Sequence, residues 1–198
     1  GKILDCIDEH KLTDNTIVLF TNDNGGQTAL GANNTPLSGK KGTLLEGGVR
    51  VPWALRWPAK VKKGSLVNDP IISLDILPTV VEAAGKPVKK SWNLDGVSFL
   101  SLITGEQQSL SPRPLFWRQH GKEGTIAMRE GKWKIHFDRP GSEKPALYDL
   151  EADISESNDL AEKNPKIVKS MMEQLNAWEA QLEEPRWGKN SAAKNEKK

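Results

Sequence analysis

The sequence predicts an α/β fold in which a sheet sandwiched by helices is followed by a small antiparallel sheet with a C-terminal helix. Three patterns indicate it. An opening stretch with a loose helical spacing precedes TIVLFT at residues 16–21, a β-branched apolar run typical of a strand covered on both faces. Short strand-like runs separated by turn signals follow from residue 115. An amphipathic helix is predicted from Pro165 to about Leu182.

The elements between these landmarks follow from local signals. A second apolar stretch, Val49 to Trp57, carries Pro52 and predicts an interrupted or edge strand. Residues 73–84 predict a helix with Ser73 as its N-cap and a kink or later start at Pro78. The strand-like runs cover residues 115–117, 125–129, 132–137 and 146–150. Alternation in the third run predicts one buried and one wet face, with His136 as a surface or packing residue.

The chain is predicted to contain three parts: residues 1–100 form an incomplete α/β domain, residues 101–185 the antiparallel subdomain with its helix, and residues 186–198 a polar basic tail. The first residue is Gly1, and the opening stretch resembles a helix already under way. We therefore expect the chain to be a fragment whose N-terminal half lies upstream.

Composition excludes several classes of partner. The 28 basic and 26 acidic residues leave a formal charge of +2, too even to indicate nucleic-acid binding. No apolar run reaches the length of roughly 18 residues that a membrane helix needs. Cys6 is the only cysteine, so no internal disulfide is possible, and we expect its side chain to be buried in the first helix.

The segment after TIVLFT carries oxygen donors. Asp23 offers a carboxylate and Asn24 an amide carbonyl, both suited to Ca²⁺ or Mg²⁺, and Gly25 and Gly26 permit a sharp turn. In open α/β sheets, ligands gather at the carboxyl ends of strands. An Asx-type turn without a metal is the alternative for these residues alone.

A second segment, residues 41–52, places Lys41 in a glycine-flanked loop before a Glu-Gly-Gly turn. A lysine in such a loop can bind a tetrahedral oxyanion, and glycine lets the backbone approach it closely. Together with the carboxylate and amide at a strand end, the pattern is specific.

These segments resemble the second half of the formylglycine-dependent sulfatases of the alkaline-phosphatase superfamily. The resemblance rests on TIVLFTNDNGG, GKKGTLLEGGVRVP, PIISLDILPTVVEAAG and LYDLEADISESNDLA, and it covers nearly the whole chain except the basic tail. Residues 33–37 are most similar to the branch of bacterial arylsulfatases and N-acetylgalactosamine-6-sulfatases. Asn33-Asn34-Thr35 also matches a glycosylation sequon, which we interpret as incidental.

The resemblance implies that Asp23 and Asn24 bind a divalent cation, calcium with magnesium as an alternative, and that Lys41 rather than Lys40 contacts sulfate. It implies that Glu46 and Arg50 shape the loop. The expected formylglycine nucleophile lies upstream, because Cys6 does not match its motif.

Further residues have weaker assignments. Asp75 is interpreted as structural, and His120 could reach the substrate pocket. Because the expected nucleophile lies upstream, the chain alone should be catalytically inactive, although it contributes part of a sulfatase site.

For the intact enzyme, the resemblance implies hydrolysis of a sulfated small molecule or glycan in the periplasm, outside the cell or in the lysosome. Phosphodiester or phosphonate hydrolysis on the same fold is one alternative. A non-catalytic carbohydrate-binding module is another, since the chain has seven tryptophans.

Overall fold

A computed structural model describes residues 1–186. The predicted basic tail, residues 186–198, lies outside the described residues apart from Arg186. The chain divides into two compact units, the first containing residues 1–21 and 53–111 and the second containing residues 22–52 and the chain from 112 onward. The boundaries at residues 100 and 185 stay predictions.

The helices and strands follow one another along the chain in a fixed order. They are α1 (Lys2–Glu9), β1 (Val18–Thr21), α2 (Glu46–Val49), β2 (Trp53–Arg56), α3 (Ile76–Ala83), α4 (Leu100–Thr104), β3 (Leu115–Arg118), β4 (Thr125–Glu130), β5 (Trp133–Asp138), β6 (Ala146–Asp149) and α5 (Pro165–Glu179). None of the helices within residues 1–186 is long and apolar enough to cross a membrane.

In the first unit, β1 and β2 form a two-stranded antiparallel sheet. The side chain of Phe20 on β1 is 61% exposed, so the strand is not covered on both faces within the described residues as its sequence predicted. Two strands alone cannot bury both faces of a sheet. Helix α1 has no buried residue, and Cys6 is exposed, so the prediction of a buried cysteine was wrong.

Helix α3 begins later than residue 73, after a 3₁₀ turn. The carboxylate of Asp75, which is fully buried, accepts hydrogen bonds from the backbone N–H of Ile72 and of Val97, each at 2.9 Å. Asp75 therefore joins the residue before the 3₁₀ turn to the segment at Val97, and none of the side-chain hydrogen bonds described for residues 1–186 makes Ser73 the predicted N-cap. Pro78 lies in the first turn of α3, where its missing N–H breaks no helical hydrogen bond.

The second unit contains a four-stranded antiparallel sheet in the order β3-β4-β5-β6. Its strands and α5 coincide with the predicted runs to within a few residues. Alternate side chains of the sheet pack against α5, and Phe116 stacks on Trp178 with ring centroids 4.9 Å apart. The buried core on this face consists of Ile126, Met128, Ile135, Leu147, Met171 and Leu175.

The other face of the same sheet carries polar side chains at the alternating positions. The strand register places Arg129, Lys134 and Tyr148 in one row across the sheet. Lys134 has no solvent exposure, so the prediction that the polar positions of residues 132–137 form a wet face was wrong for this residue. The segment that covers it comes from the first part of the second unit, which contains the candidate site.

Candidate functional site

The segment after β1, residues 22–26, is the Asp23 loop. Asp23 is exposed and Asn24 is partly buried. The Asn24 amide nitrogen lies 2.5 Å from the Asp23 carboxylate, so the two side chains converge on one point of the loop. Rotation of the Asn24 amide group by 180° places its carbonyl oxygen, instead of its nitrogen, beside the Asp23 carboxylate.

Residues 38–45 form the Lys41 loop. Gly39 and Gly42 both have φ of +88°, a left-handed conformation that a side chain would strain, and they flank the two lysines. The Thr43 hydroxyl accepts a hydrogen bond from the Lys40 N–H at 3.1 Å and donates one to the Lys40 carbonyl at 2.9 Å. These bonds fix the backbone while the Lys41 side chain stays exposed.

Backbone hydrogen bonds join the Asp23 loop to the Lys41 loop and to α2. The Lys41 N–H donates to the Gly26 carbonyl at 3.2 Å, and the Gly25 N–H donates to the Gly48 carbonyl at 2.9 Å. A Cβ atom at Gly25 would lie 1.7 Å from the Gly47 carbonyl oxygen, so only glycine allows this approach. The loop that carries the predicted oxyanion-binding lysine is thereby joined through its backbone to the loop that carries the predicted metal ligands.

The side chain of Asn34 holds the loops from a third side. Its carbonyl oxygen accepts the Gly26 N–H at 3.0 Å, and its amide group donates to the Gly26 and Gly39 carbonyls at 2.9 and 3.1 Å. The sequence placed this residue within an incidental sequon and within the family-like loop of residues 33–37, and neither predicted these hydrogen bonds. An asparagine between glycine-rich segments is the one available signal, and many surface loops share it.

Behind the Lys41 loop lies a buried ionic cluster, the triad of Glu46, Lys134 and Glu156. The Lys134 ammonium lies 2.8 Å from a Glu46 carboxylate oxygen and 2.9 Å from Glu156 Oε1. Glu156 Oε2 also accepts the backbone N–H of Glu46 at 2.6 Å. The three side chains are at most 3% exposed. Glu46 therefore contacts Lys134 through its side chain and Glu156 through its backbone N–H.

Two arginines extend the triad toward solvent. Arg129 and Arg50 approach the second carboxylate oxygen of Glu46 at 3.6 and 3.7 Å. Burial raises the pKa of Glu156 above its ordinary value, and the charge of Lys134 opposes this shift. The ion pair with Lys134, at 2.9 Å from Glu156 Oε1, is the contact that opposes this effect of burial.

The turn that presents Glu156 is held by Asp153. The Asp153 carboxylate accepts hydrogen bonds from the Ser155 hydroxyl at 2.6 Å and from the backbone N–H groups of Ser157 and Asn158 at 2.7 and 2.8 Å. Glu156 has φ of +52°, which a residue with a Cβ adopts only when its surroundings determine it. The LYDLEADISESNDLA segment thus directs one carboxylate into the interior.

The Asp23 loop fits part of a cation site. Carboxylate and amide oxygens are ligands that Ca²⁺ and Mg²⁺ prefer, and the two side chains lie side by side. Calcium takes six to eight oxygens, which two residues cannot supply. Within residues 1–186, no cluster of three or more His, Cys, Asp or Glu side chains could hold a metal. Further ligands would have to come from water or from other parts of a longer protein.

Two histidines lie in or beside the antiparallel sheet: His120, a predicted substrate contact, and His136, predicted to be a surface or packing residue. His120 is exposed at the β3–β4 turn with φ of +60°, and none of the hydrogen bonds described for residues 1–186 joins it to Asp23, Asn24 or Lys41. Its role in substrate binding stays a prediction. His136 lies in the row beside Lys134, and burial, with a smaller effect of the Lys134 charge, lowers its pKa.

Comparison with known proteins identifies the family. The family profile described as "N-sulphoglucosamine sulphohydrolase, C-terminal" matches residues 40–181. Human arylsulfatase A is 32% identical over 92% of this chain and 41% of its own length. The N-acetylgalactosamine-6-O-sulfatase of Bacteroides thetaiotaomicron is 30% identical over 88% of this chain and 38% of its own length.

Solved structures agree with this fold. The structure described as Ps i-CgsB in complex with k-i-k-neocarrahexaose has a TM-score of 0.84 and 30% identity over 98% of this chain and 43% of that chain. The phosphonate monoester hydrolase of Agrobacterium radiobacter, at 20% identity and a TM-score of 0.65, covers 91% of this chain and 38% of that one, and it shares the fold alone. The chain spans about two fifths of the length of the curated relatives it matches. Because the family profile covers most of the chain, the chain belongs to the sulfatases, as part of their C-terminal region.

Proposed function

We propose that the longer protein containing this chain hydrolyses sulfate esters, and that the chain supplies Asp23 and Asn24 as metal ligands and Lys41 as a sulfate contact. The observation that carries the proposal is the pair of backbone hydrogen bonds that hold the Asp23 loop against the Lys41 loop and α2. Without them, the oxygen donors and the lysine would belong to unrelated loops.

Each group has a distinct chemical task. A bound divalent cation would act as a Lewis acid toward the sulfate oxygens. Asp23 and Asn24 bind that cation and orient it. The Lys41 ammonium stabilises negative charge that develops on the sulfate oxygens, and the glycines around it leave room for the ester. No residue described here matches the nucleophile motif, so the nucleophile is assigned to the longer protein and the chain alone is inactive.

The apolar surface of the first unit supports a longer protein. Phe20, Leu12 and Leu66 are 61%, 48% and 83% exposed. We interpret these exposed apolar side chains as part of an interaction site, since a two-stranded sheet is marginally stable by itself. We assign this surface to contact with the N-terminal half of the same protein.

The names of the relatives support a sulfated sugar as the substrate class. One relative is named an N-acetylgalactosamine-6-O-sulfatase, and a solved structure is described in complex with neocarrahexaose. The family's usual locations would place the protein in the periplasm, outside the cell or in the lysosome. The phosphonate hydrolase shares only the fold, and it does not favour the alternative reaction.

The test is the effect of Lys41→Ala on kcat/KM for an aryl sulfate ester in the longer protein. We expect a loss of about 10²–10³-fold, the usual effect of removing one group that stabilises developing charge. Lys40→Ala is the matched control, because it removes the same charge one residue away. Equal small losses in both variants, or hydrolysis of phosphonate but not sulfate esters by the unmodified protein, would overturn the proposal.

A further inference from the structure

The residues that surround Glu46 have no role in the sulfate chemistry described above. Lys134 lies on β5, 88 residues after Glu46 in the sequence, and Glu156 lies in the turn after β6, 110 residues after Glu46. All three side chains are buried, and the charges face one another at 2.8 and 2.9 Å. Such a cluster is a weak source of net stability compared with an apolar replacement, but removing one partner leaves a buried charge uncompensated.

The triad acts on backbone as well as on side chains. The Glu156 carboxylate accepts a hydrogen bond of 2.6 Å from the backbone N–H of Glu46, which is the first residue of α2. Two residues further along, the Gly48 carbonyl accepts the N–H of Gly25, and the Gly47 N–H donates to Ser38 at 2.6 Å. The position of the Glu46 backbone therefore sets the position of both loops that carry the predicted ligands.

We propose that Lys134 and Glu156 are positioning residues for the predicted site, which they hold in place through Glu46. Lys134 neutralises the two carboxylates, and Glu156 fixes the start of α2. The expected loss of catalysis rests on the proposed function. The expected opening of the two loops rests on the geometry of the triad alone.

The loop consequence is tested by hydrogen–deuterium exchange on the 198-residue chain. Lys134→Met removes the cation that contacts both buried carboxylates and leaves Glu46 with only the longer contacts of Arg129 and Arg50. Glu156→Ala removes the acceptor of the Glu46 N–H. We expect both variants to speed exchange in residues 38–50 by at least roughly tenfold, because breaking a buried ion pair opens the structure locally. Glu156→Gln keeps an acceptor oxygen, so it should stay within about threefold of the unmodified chain.

Leu175→Ala is the control for general destabilisation, because Leu175 is fully buried on the opposite face of the sheet. Exchange in residues 38–50 should follow global stability in that variant. If it rises as much in Leu175→Ala as in Glu156→Ala at matched stability, or if Glu156→Gln behaves like Glu156→Ala, the positioning role is contradicted. The two Glu156 variants decide the matter even when Lys134→Met fails to fold.

The catalytic consequence is tested in the longer protein. We expect Lys134→Met and Glu156→Ala to lower kcat/KM for a sulfate ester and the apparent calcium affinity by about 10–100-fold, as supporting residues of metal sites do. Leu175→Ala should change neither quantity below its unfolding temperature, and unchanged values in Glu156→Ala would overturn the inference. If the unmodified longer protein hydrolyses no sulfate ester, the proposed function fails while the exchange result still decides the positioning role.

Discussion

The two faces of the four-stranded sheet are built from the same strands and are buried by different means. One face packs Ile126, Met128, Ile135 and Leu147 against α5. The other face buries Lys134 under Glu46 and Glu156. Apolar burial is non-directional, so the first face stabilises the unit without fixing any loop in detail. The ionic face depends on distance and direction, and it is the face that contacts the loops of the candidate site.

Of the changes to the two faces, removal of the buried lysine should lower the free energy of unfolding the most. Lys134→Met is expected to lower the free energy of unfolding by about 3–5 kcal/mol, because it removes the cation shared by two buried carboxylates and leaves the Glu156 carboxylate without its ion-pair partner. Urea unfolding of the 198-residue chain, followed by tryptophan fluorescence, measures it.

The neutral counterpart sharpens the same comparison. Lys134→Met combined with Glu46→Gln and Glu156→Gln removes every charge of the triad but takes the Glu46 carboxylate away from Arg129 and Arg50, so part of the lost stability should return. A single Lys134→Met variant as stable as the unmodified chain would show that the triad does not hold charges in the interior.

Truncation on the apolar face should have a similar or smaller effect on stability and a different effect on the loops. Leu175→Ala is expected to lower the free energy of unfolding by about 2–5 kcal/mol through lost burial and a residual cavity. The same urea experiment measures it. A loss below about 1 kcal/mol would mean that α5 is not a main stabilising contact of the sheet.

The free energy of unfolding should also depend on pH through His136 on the ionic face, and this is the smallest of the expected effects. Burial lowers the pKa of His136, so the folded chain binds this proton less readily than the unfolded chain does. Stability from neutral His136 is then complete above the ordinary histidine pKa and declines as the pH falls toward the lowered value, by at most about 1.4 kcal/mol per pH unit. We expect His136→Gln to remove this slope between pH 7.5 and 5.5.

Unfolding curves of the two proteins across that pH range provide the comparison. The carboxylates whose pKa values are lowered, Asp8, Asp149 and Asp153, titrate at lower pH and are common to both. Parallel curves for the two proteins would contradict a partly buried, neutral His136.

The apolar face could be predicted from the sequence because its signals are local. Alternation in residues 125–137 and the helical spacing after Pro165 each lie within one element. The Asp23 and Lys41 loops were predicted as chemical motifs for the same reason, since glycine and ligand residues lie within a few positions of one another.

The ionic face could not be predicted, because its contacts join distant segments. Lys134 has the alternation of a wet position, and nothing near it in the chain indicates that Glu46, 88 residues earlier, covers it. The Asn34 side chain is similar, since its bonds to Gly26 and Gly39 exist only after the loops have closed. The exposure of Cys6 also depends on α1, which buries none of its residues.

The most direct test of the central claim, that the Asp23 and Lys41 loops form one site, is a double-mutant cycle. It compares kcat/KM for a sulfate ester in the longer protein with Asp23→Ala, Lys41→Ala and the two combined. Groups that act on the same sulfate are not independent, so the two effects should differ from additivity by more than about 0.5 kcal/mol. Additive effects within about 0.3 kcal/mol would contradict a shared site.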